Sequence, residues 1–164
     1  MLRQFRRLER EPYASWWTDR FGTPVGLFDG CSMWQRGKSS VWVAALDVDP
    51  GATSPVDGVG FPLLRVGGRA WKPTSVGLVH FGLRATRNVV ELDANETMRF
   101  LAGEAIELAT DDPRCGQWSR GFVLARYLGV PLGCAEWRAD AIRSVLPKGR
   151  RNQAPDLPLS IPES

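Results

Sequence analysis

Residues 121–133, Gly121-Phe-Val-Leu-Ala-Arg-Tyr-Leu-Gly-Val-Pro-Leu-Gly133, consist of two β-rich runs separated by a glycine. They predict one strand over 121–128 and a second over 131–137, and the apolar run at 141–146 predicts a third. The last two glycines of the quoted stretch suit tight strand geometry. Several short strands bounded by glycine and proline are typical of a small barrel or a tight sheet, not of a βαβ fold.

Toward the N-terminus the apolar spacing becomes helical in several places. Leu2, Phe5 and Leu8 recur every three residues and predict a first helix, and an aromatic-rich helix is predicted from residue 11 to Gly22. At that density the aromatic side chains indicate a hydrophobic core. The remaining predicted elements are strands at 32–35, 41–45, 63–66, 88–92 and 104–108, a short helix ending at Gly82, and a helix over 94–102 that the capping-box spacing of Asp93 and Glu96 opens.

Length and composition are those of a globular protein. The 164 residues are 43% apolar and 24% charged, which allows one domain or two compact modules. No apolar run is long enough for a membrane-spanning helix, and the N-terminus lacks the apolar block of a secretory signal. Cys31, Cys115 and Cys134 are odd in number and widely spaced, which argues against a disulfide scaffold. We therefore expect a cytoplasmic protein with reduced thiols.

The distribution of charge is more informative than the net charge of +3. Eighteen of the 21 cationic residues are arginine, a bias that either a GC-rich genome or phosphate recognition explains. Residues 58–90 contain no acidic residue, residues 91–112 are strongly acidic, and residues 113–151 are basic again. Either the two basic blocks meet on one positive face or they form separate faces that pair with the acidic segment.

Two groups of motifs resemble a known family. The stretch from Phe122 to Gly133, continued by Leu146-Pro-Lys-Gly-Arg-Arg151, resembles the C-terminal PUA-like module of Sun/Fmu-type RNA cytosine-5 methyltransferases. Three further pieces resemble the junction between a pre-PUA segment and a PUA module, as found in archaeosine transglycosylases and in a small ribosome-biogenesis factor: Trp71-Lys-Pro-Thr-Ser75, Arg87-Asn-Val-Val-Glu-Leu-Asp93 and Phe100-Leu-Ala-Gly-Glu104. Arg20-Phe-Gly-Thr-Pro24 is similar to the opening of such pre-PUA segments.

The resemblance implies an α+β protein. A small N-terminal α/β, pre-PUA-like module is expected over 1–86, a C-terminal PUA-like β pseudo-barrel over 87–152, and a flexible tail over 153–164. It also implies non-catalytic binding of structured RNA, either tRNA or rRNA, in RNA modification or ribosome biogenesis. A separately encoded RNA-modifying enzyme is the expected partner, and no membrane is expected to be one.

Seven cationic side chains are the candidate RNA contacts. Three of them follow the last predicted strand and match the "P-K-G-x-R" end of the family pattern, and the others belong to the two basic blocks. The alternative for each is a solvated surface that only keeps the protein soluble. The candidates are Lys148, Arg150 and Arg151, together with Arg143, Lys72, Arg84 and Arg87.

The sequence offers no catalytic constellation. His80 is the only histidine, none of the three cysteines follows a proline or has a neighbouring histidine, and no GxGxxG motif follows a strand. We expect no enzyme activity, no metal and no cofactor. Two alternatives stay open: an interaction or assembly subunit without RNA affinity, and a small ASCH-type enzyme acting on nucleotides, which would need a pocket with a paired lysine and carboxylate.

Overall fold

The computed structural model describes residues 5–48 and 59–151. Within these ranges the chain forms two five-stranded sheets, three α-helices and one 3₁₀ turn. The predicted mixture of helices and strands is confirmed at this level. No helix in the described ranges is long and apolar enough to cross a membrane. The predicted tail over 153–164 lies outside the described residues.

The first sheet is an antiparallel meander whose strands follow one another in chain order. The prediction of strands in the regions 32–35, 41–45 and 63–66 is confirmed. The strands are β1 (Phe5–Leu8), β2 (Cys31–Arg36), β3 (Ser40–Ala45), β4 (Phe61–Arg65) and β5 (Lys72–Pro73).

The predicted helix at the N-terminus is wrong for residues 5–8, which form β1. A helix this short is unstable by itself, and the open edge of β2 offers hydrogen bonds to the segment instead. The strand also places Phe5 and Leu8 on opposite faces. Phe5 meets the ring of Trp42 edge-on, while Leu8 packs against the core. Both apolar side chains therefore make packing contacts, but on opposite faces of a strand and not on one face of a helix.

Three helices end where predicted, and the first and third also begin at the predicted residues. They are α1 (Glu11–Phe21), α2 (Ser75–Phe81) and α3 (Ala94–Ala102). The predicted capping box is present, because the amide of Glu96 donates to Asp93 Oδ1 over 2.8 Å and the amide of Asp93 donates to Glu96 Oε2 over 3.0 Å. The left-handed conformation of Gly22, with φ 62°, ends α1.

The second sheet contains the strands predicted from residues 88–146. Its order is β6 (Val89–Glu91), β8 (Gly121–Tyr127), β9 (Val130–Arg138), β10 (Ala141–Ser144) and β7 (Ala105–Glu107). β6 runs parallel to β8, and the other neighbours are antiparallel. The 3₁₀ turn Lys148–Arg150 follows β10. We call residues 5–86 the N-terminal unit and residues 87–151 the C-terminal unit.

The β8–β9 ribbon belongs to two hydrophobic cores at once. Val123 and Ala135 face the core of the C-terminal unit, beneath α3. Leu124 and Cys134 point to the opposite face and belong to the core of the N-terminal unit, where they are fully buried among aromatic side chains such as Trp17. Because both faces of the ribbon are covered, the two units pack against each other through it.

The start of α2 docks on a point of β9 where only glycine fits. Gly133 has a φ of 150°, and a Cβ there would lie 2.8 Å from Leu146 Cδ2 and 2.9 Å from Ser75 Oγ. The Ser75 hydroxyl accepts a hydrogen bond of 3.0 Å from the amide of Cys134. The absence of a side chain at Gly133 thus permits the close contact between the two units.

Replacing Gly133 by alanine should lower the free energy of unfolding by about 1–3 kcal/mol, since the added methyl group crowds the buried Leu146 and Ser75 side chains at a φ that favours glycine. Urea unfolding followed by tryptophan fluorescence measures the change. Gly30→Ala is the control, because a Cβ at that position meets no atom within 4 Å. Equal unfolding midpoints for the two variants would show that the contact at Gly133 does not hold the units together.

Candidate functional site

A cavity of about 490 Å³ opens where the two units meet. We call it the junction cavity. β4, β5 and the start of α2 form its N-terminal side, and the segment 145–150 closes it from the C-terminal unit. Arg65, Lys72 and Arg150 line it, and no carboxylate of the described residues does. The two basic blocks of the sequence therefore meet at this point.

Strand pairing places two of these cations side by side. Arg65 on β4 and Lys72 on β5 are direct register partners, so their side chains project from the same face of the sheet. Like charges directly opposite each other destabilise a sheet. Among the described residues neither side chain has an ion-pair partner. A bound anion would relieve this repulsion.

The remaining lining of the junction cavity is largely apolar. Phe61, Val76 and Val145 contribute to the wall, and the threonine and serine at the start of α2 add hydroxyl groups. His80, the lone histidine, stacks on Phe61 with ring centroids 4.5 Å apart. An apolar wall combined with cations suits a ligand that carries charge on one side and a flat or hydrophobic group on the other.

A second cavity, of about 340 Å³, lies beside the first. We call it the aromatic cavity. Two tryptophans, Phe122 and three arginines contribute to its lining, again without a carboxylate from the described part of the chain. Lys72 connects the two sites, because it lines the junction cavity while its Nζ lies 5.8 Å from the centre of the Phe122 ring. The lining residues are Trp16, Arg20, Gly68, Arg69, Ala70, Trp71, Arg120, Gly121 and Phe122.

Arg20 fixes the boundary between the units at the aromatic cavity. Its guanidinium donates through Nε to the carbonyl of Phe122 over 2.9 Å, and to the carbonyl of Ser119 over 3.0 Å. Partial burial lowers the pKa of Arg20 from its usual value. Its partners are neutral carbonyls, so the positive charge is held in place without being neutralised.

Three of the seven predicted RNA contacts lie at the junction. Lys72 and Arg150 line the cavity itself, and Lys148 is exposed in the same 3₁₀ turn as Arg150. Pro147 precedes that turn and is part of the lining. The structure therefore brings together cations that are 78 positions apart (150 minus 72) in the sequence.

Two predicted contacts near the end of α2 lie elsewhere. Arg84 is exposed just beyond the C-terminus of α2, whereas the junction cavity lies at the N-terminus of that helix. Arg87 donates to the carbonyl of Thr18 in α1 over 3.2 Å. The structure does not bring either guanidinium to the junction cavity.

The last two predicted contacts belong to the C-terminal unit. Arg143 on β10 is exposed and lies directly across from Glu136 on β9. Arg151 packs its guanidinium against Gly103 at the end of α3 and donates to the carbonyl of Leu146 over 3.4 Å. Neither side chain lines the junction cavity.

Several other arginines pair with carboxylates, as the alternative of separate faces predicts. In the described residues these pairs are Arg10–Asp29, Arg99–Glu104, Arg126–Glu91, Arg138–Glu136 and the cluster of Arg114 with Glu96 and Asp112. The acidic segment thus neutralises part of the second basic block. Both alternatives hold, each for a different subset of arginines.

Arg65, Arg69, Arg120 and Trp71 were not among the predicted contacts. The acid-free segment 58–90 contains three of them, so the charge pattern indicated the region but not which of its residues line a cavity. The missing information was the register of β4 and β5 and the position of residue 120 beside residue 69, which only the tertiary structure supplies.

Neither cavity offers a catalytic arrangement in the described chain. The junction cavity has a lysine but no carboxylate beside it, so the pairing expected of an ASCH-type enzyme is absent there. Burial raises the pKa of Cys134 to about 12, which keeps this thiol protonated. No group of three or more histidine, cysteine or acidic residues in the described ranges is arranged to hold a metal ion.

Comparison with known families gives two matches. Residues 87–152 match the family model described as the methyltransferase RsmF PUA domain, and residues 3–60 match a family of unknown function, DUF7122. The first match confirms the predicted resemblance to the PUA module of Sun/Fmu-type methyltransferases. PUA domains in general bind RNA. The PUA domain of such a methyltransferase does not include the catalytic domain. No curated protein matches the chain.

The charge cluster of the acidic segment can be tested by titration. Hydrogen bonds from the Arg114 side chain lower the pKa of Asp112 to about 2, so the stabilising effect of this pair is present above the ordinary carboxyl pKa and is lost as the pH falls toward 2. Arg114→Gln should raise the pKa of Asp112 toward its ordinary value, as measured by carbon NMR of the carboxyl group. Arg126→Gln, which removes the partner of Glu91, should leave Asp112 unchanged. Identical titration of Asp112 in both variants would contradict the assignment.

Proposed function

We propose that the chain binds structured RNA, tRNA or rRNA, without catalysing a reaction, and that the junction cavity is the centre of the contact surface. The single observation that carries this proposal is the convergence of Arg65, Lys72 and Arg150 at one cavity without a neighbouring carboxylate from the described residues. The match of residues 87–152 to an RNA-binding class of domain supports the same ligand.

We further propose the finer architecture that the resemblance implies. In this proposal residues 1–86 form a pre-PUA-like module and residues 87–152 form a PUA-like pseudo-barrel. The ribbon with two covered faces explains how such modules could act as one rigid surface for RNA.

The charge arrangement suits a phosphate backbone. Duplex RNA hides its base edges in a deep, narrow groove, so proteins read its shape, its phosphates and its unpaired parts. Strand register places Arg65 and Lys72 on one face of the sheet, where both can contact phosphates of one RNA strand. Arg150, which reaches the cavity from the other unit, adds a third cation at a different angle. Together they fix the orientation of the RNA as well as its affinity.

The predicted contacts contribute unequally in this proposal. Lys72 and Arg150 are central, and Lys148 extends the surface from the same 3₁₀ turn. Arg143 and Arg84 are peripheral contacts, because both are exposed but lie outside the cavity. The remaining two are Arg87 and Arg151, whose guanidinium groups already donate to backbone carbonyls and would contact RNA only at the edge of the surface.

The name of the matched family indicates the biological setting that we propose. That domain is part of a methyltransferase by its description, whereas the segment matched here contains no catalytic domain. We therefore propose that this chain acts in the cytoplasm and presents its RNA to a separate RNA-modifying enzyme or to a ribosome precursor.

Removing the three cavity cations in the variant Arg65→Gln, Lys72→Gln, Arg150→Gln should weaken the binding of tRNA or an rRNA hairpin at least about tenfold. The slope of log affinity against log salt should become shallower by roughly 0.7–0.9 for each RNA phosphate that the variant no longer neutralises. Fluorescence anisotropy at several salt concentrations measures both quantities.

The matched control is the variant Arg99→Gln, Arg126→Gln, Arg138→Gln. It changes the net charge equally, but each arginine it removes is paired with a carboxylate. The control should keep the affinity and slope of the unmodified protein. If both variants weaken binding to the same extent, net charge and not the junction cavity attracts the RNA. If the unmodified protein binds RNA no better than another polyanion, the alternative of an assembly subunit is favoured.

A further inference from the structure

We infer that the aromatic cavity is a pocket for one unpaired nucleobase, stacked on Trp71, of an RNA whose backbone crosses the junction cavity. This inference rests on the proposed function and names the part of the RNA that is recognised. It is carried by a group of aromatic rings and cations that the phosphate contacts described above do not use.

The indole of Trp71 is a supported platform. It stacks on Tyr13 with ring centroids 5.3 Å apart and an interplanar angle of 27°, and it contacts Trp16 at 5.9 Å. These rings belong to α1, which the core of the N-terminal unit holds in place through Trp17 and Phe21. Trp71 nevertheless remains half-buried and lines the cavity, so part of its ring is available for a ligand.

Cations surround this platform. Arg69 and Arg120 are exposed and line the cavity from the N-terminal and the C-terminal unit respectively. Arg20 adds a positive charge that its carbonyl partners do not neutralise. Aromatic stacking combined with arginine is how proteins hold unpaired bases of RNA, because every base has a flat face and every nucleotide carries a phosphate.

The size of the cavity limits the ligand. At about 340 Å³ it lies at the lower end of the roughly 300–1,000 Å³ typical of small-molecule pockets. It therefore offers room for a single base with its sugar. An unpaired base that leaves the stack of the RNA is the part of the ligand that fits.

The position of the aromatic cavity determines how the base would reach it. Phe122 lines this cavity, and the ring of Phe122 lies under Lys72 of the junction cavity. An RNA strand whose phosphates contact Lys72 would thus place an adjacent nucleotide at the entrance of the aromatic cavity. In this arrangement the RNA backbone contacts the junction cavity and the unpaired base enters the aromatic cavity.

The test compares two RNAs and two variants. The RNAs are a blunt RNA hairpin and the same hairpin with a single-stranded 3′ extension that carries 2-aminopurine. Trp71→Leu should weaken binding of the extended hairpin by roughly 5- to 150-fold, the equivalent of about 1–3 kcal/mol for one stacked base. It should leave the affinity for the blunt hairpin unchanged. The unmodified protein should quench 2-aminopurine fluorescence, and the variant should not.

Arg69→Gln combined with Arg120→Gln is the second variant. Both side chains are exposed, so it keeps the fold even if Trp71→Leu does not. It should weaken binding of the extended hairpin and reduce the salt dependence for that RNA only. Trp42→Leu is the control and should bind both hairpins as the unmodified protein does, since Trp42 is a half-buried tryptophan of the first sheet outside both cavities.

The outcomes separate the two proposals. If Trp71→Leu and the arginine variant bind both hairpins as the unmodified protein does, the base pocket is refuted while the junction cavity stands. If both variants weaken the two hairpins equally, the aromatic cavity contributes no selectivity for unpaired bases and the inference also fails. If the unmodified protein binds neither hairpin, the proposed function itself fails.

Discussion

The β8–β9 ribbon, buried on both faces, is the constraint on which the rest of this structure depends. Alternate residues of one strand belong to different cores: Val123 packs into the C-terminal unit and Leu124 into the N-terminal unit. A shift of the ribbon by one residue would exchange all of these side chains, so the register is strongly determined. The docking of the two units follows from that register, and so does the shape of the junction cavity between them.

Within this fold the arginine side chains differ in the groups that they contact. Some are paired with carboxylates, as Arg114 is, and some stack over rings, as Arg36 does 4.9 Å from the centre of the Trp42 ring. Arg20 is held by backbone carbonyls. In the described part of the chain, the cationic side chains that line the two cavities have no acidic partner. Cations whose mutual repulsion is left unrelieved are typical of a surface that binds an anion.

Local signals explain why much of the fold could be predicted. The capping box of Asp93 and Glu96 and the glycine that ends α1 act within one turn of the chain, so sequence spacing is sufficient. The segment 5–8 shows the limit of this reasoning. Its apolar spacing is helical, but pairing with β2 supplies more hydrogen bonds than an isolated turn could. The hydrogen bonds that favour a strand here come from β2, a partner that the local spacing does not reveal.

The sequence by itself determined the order and type of most elements, although not of β1 and β5. It also determined the acid-free stretch in which half of the candidate site lies. These properties depend on neighbours along the chain. The tertiary structure decided which cations share a surface. Arg65 and Lys72 meet through strand register, Arg150 arrives from the other unit, and Arg87 and Arg151 are drawn to backbone carbonyls. Charges interact through space, and the distances between segments far apart in the chain are set by the packing of the shared ribbon.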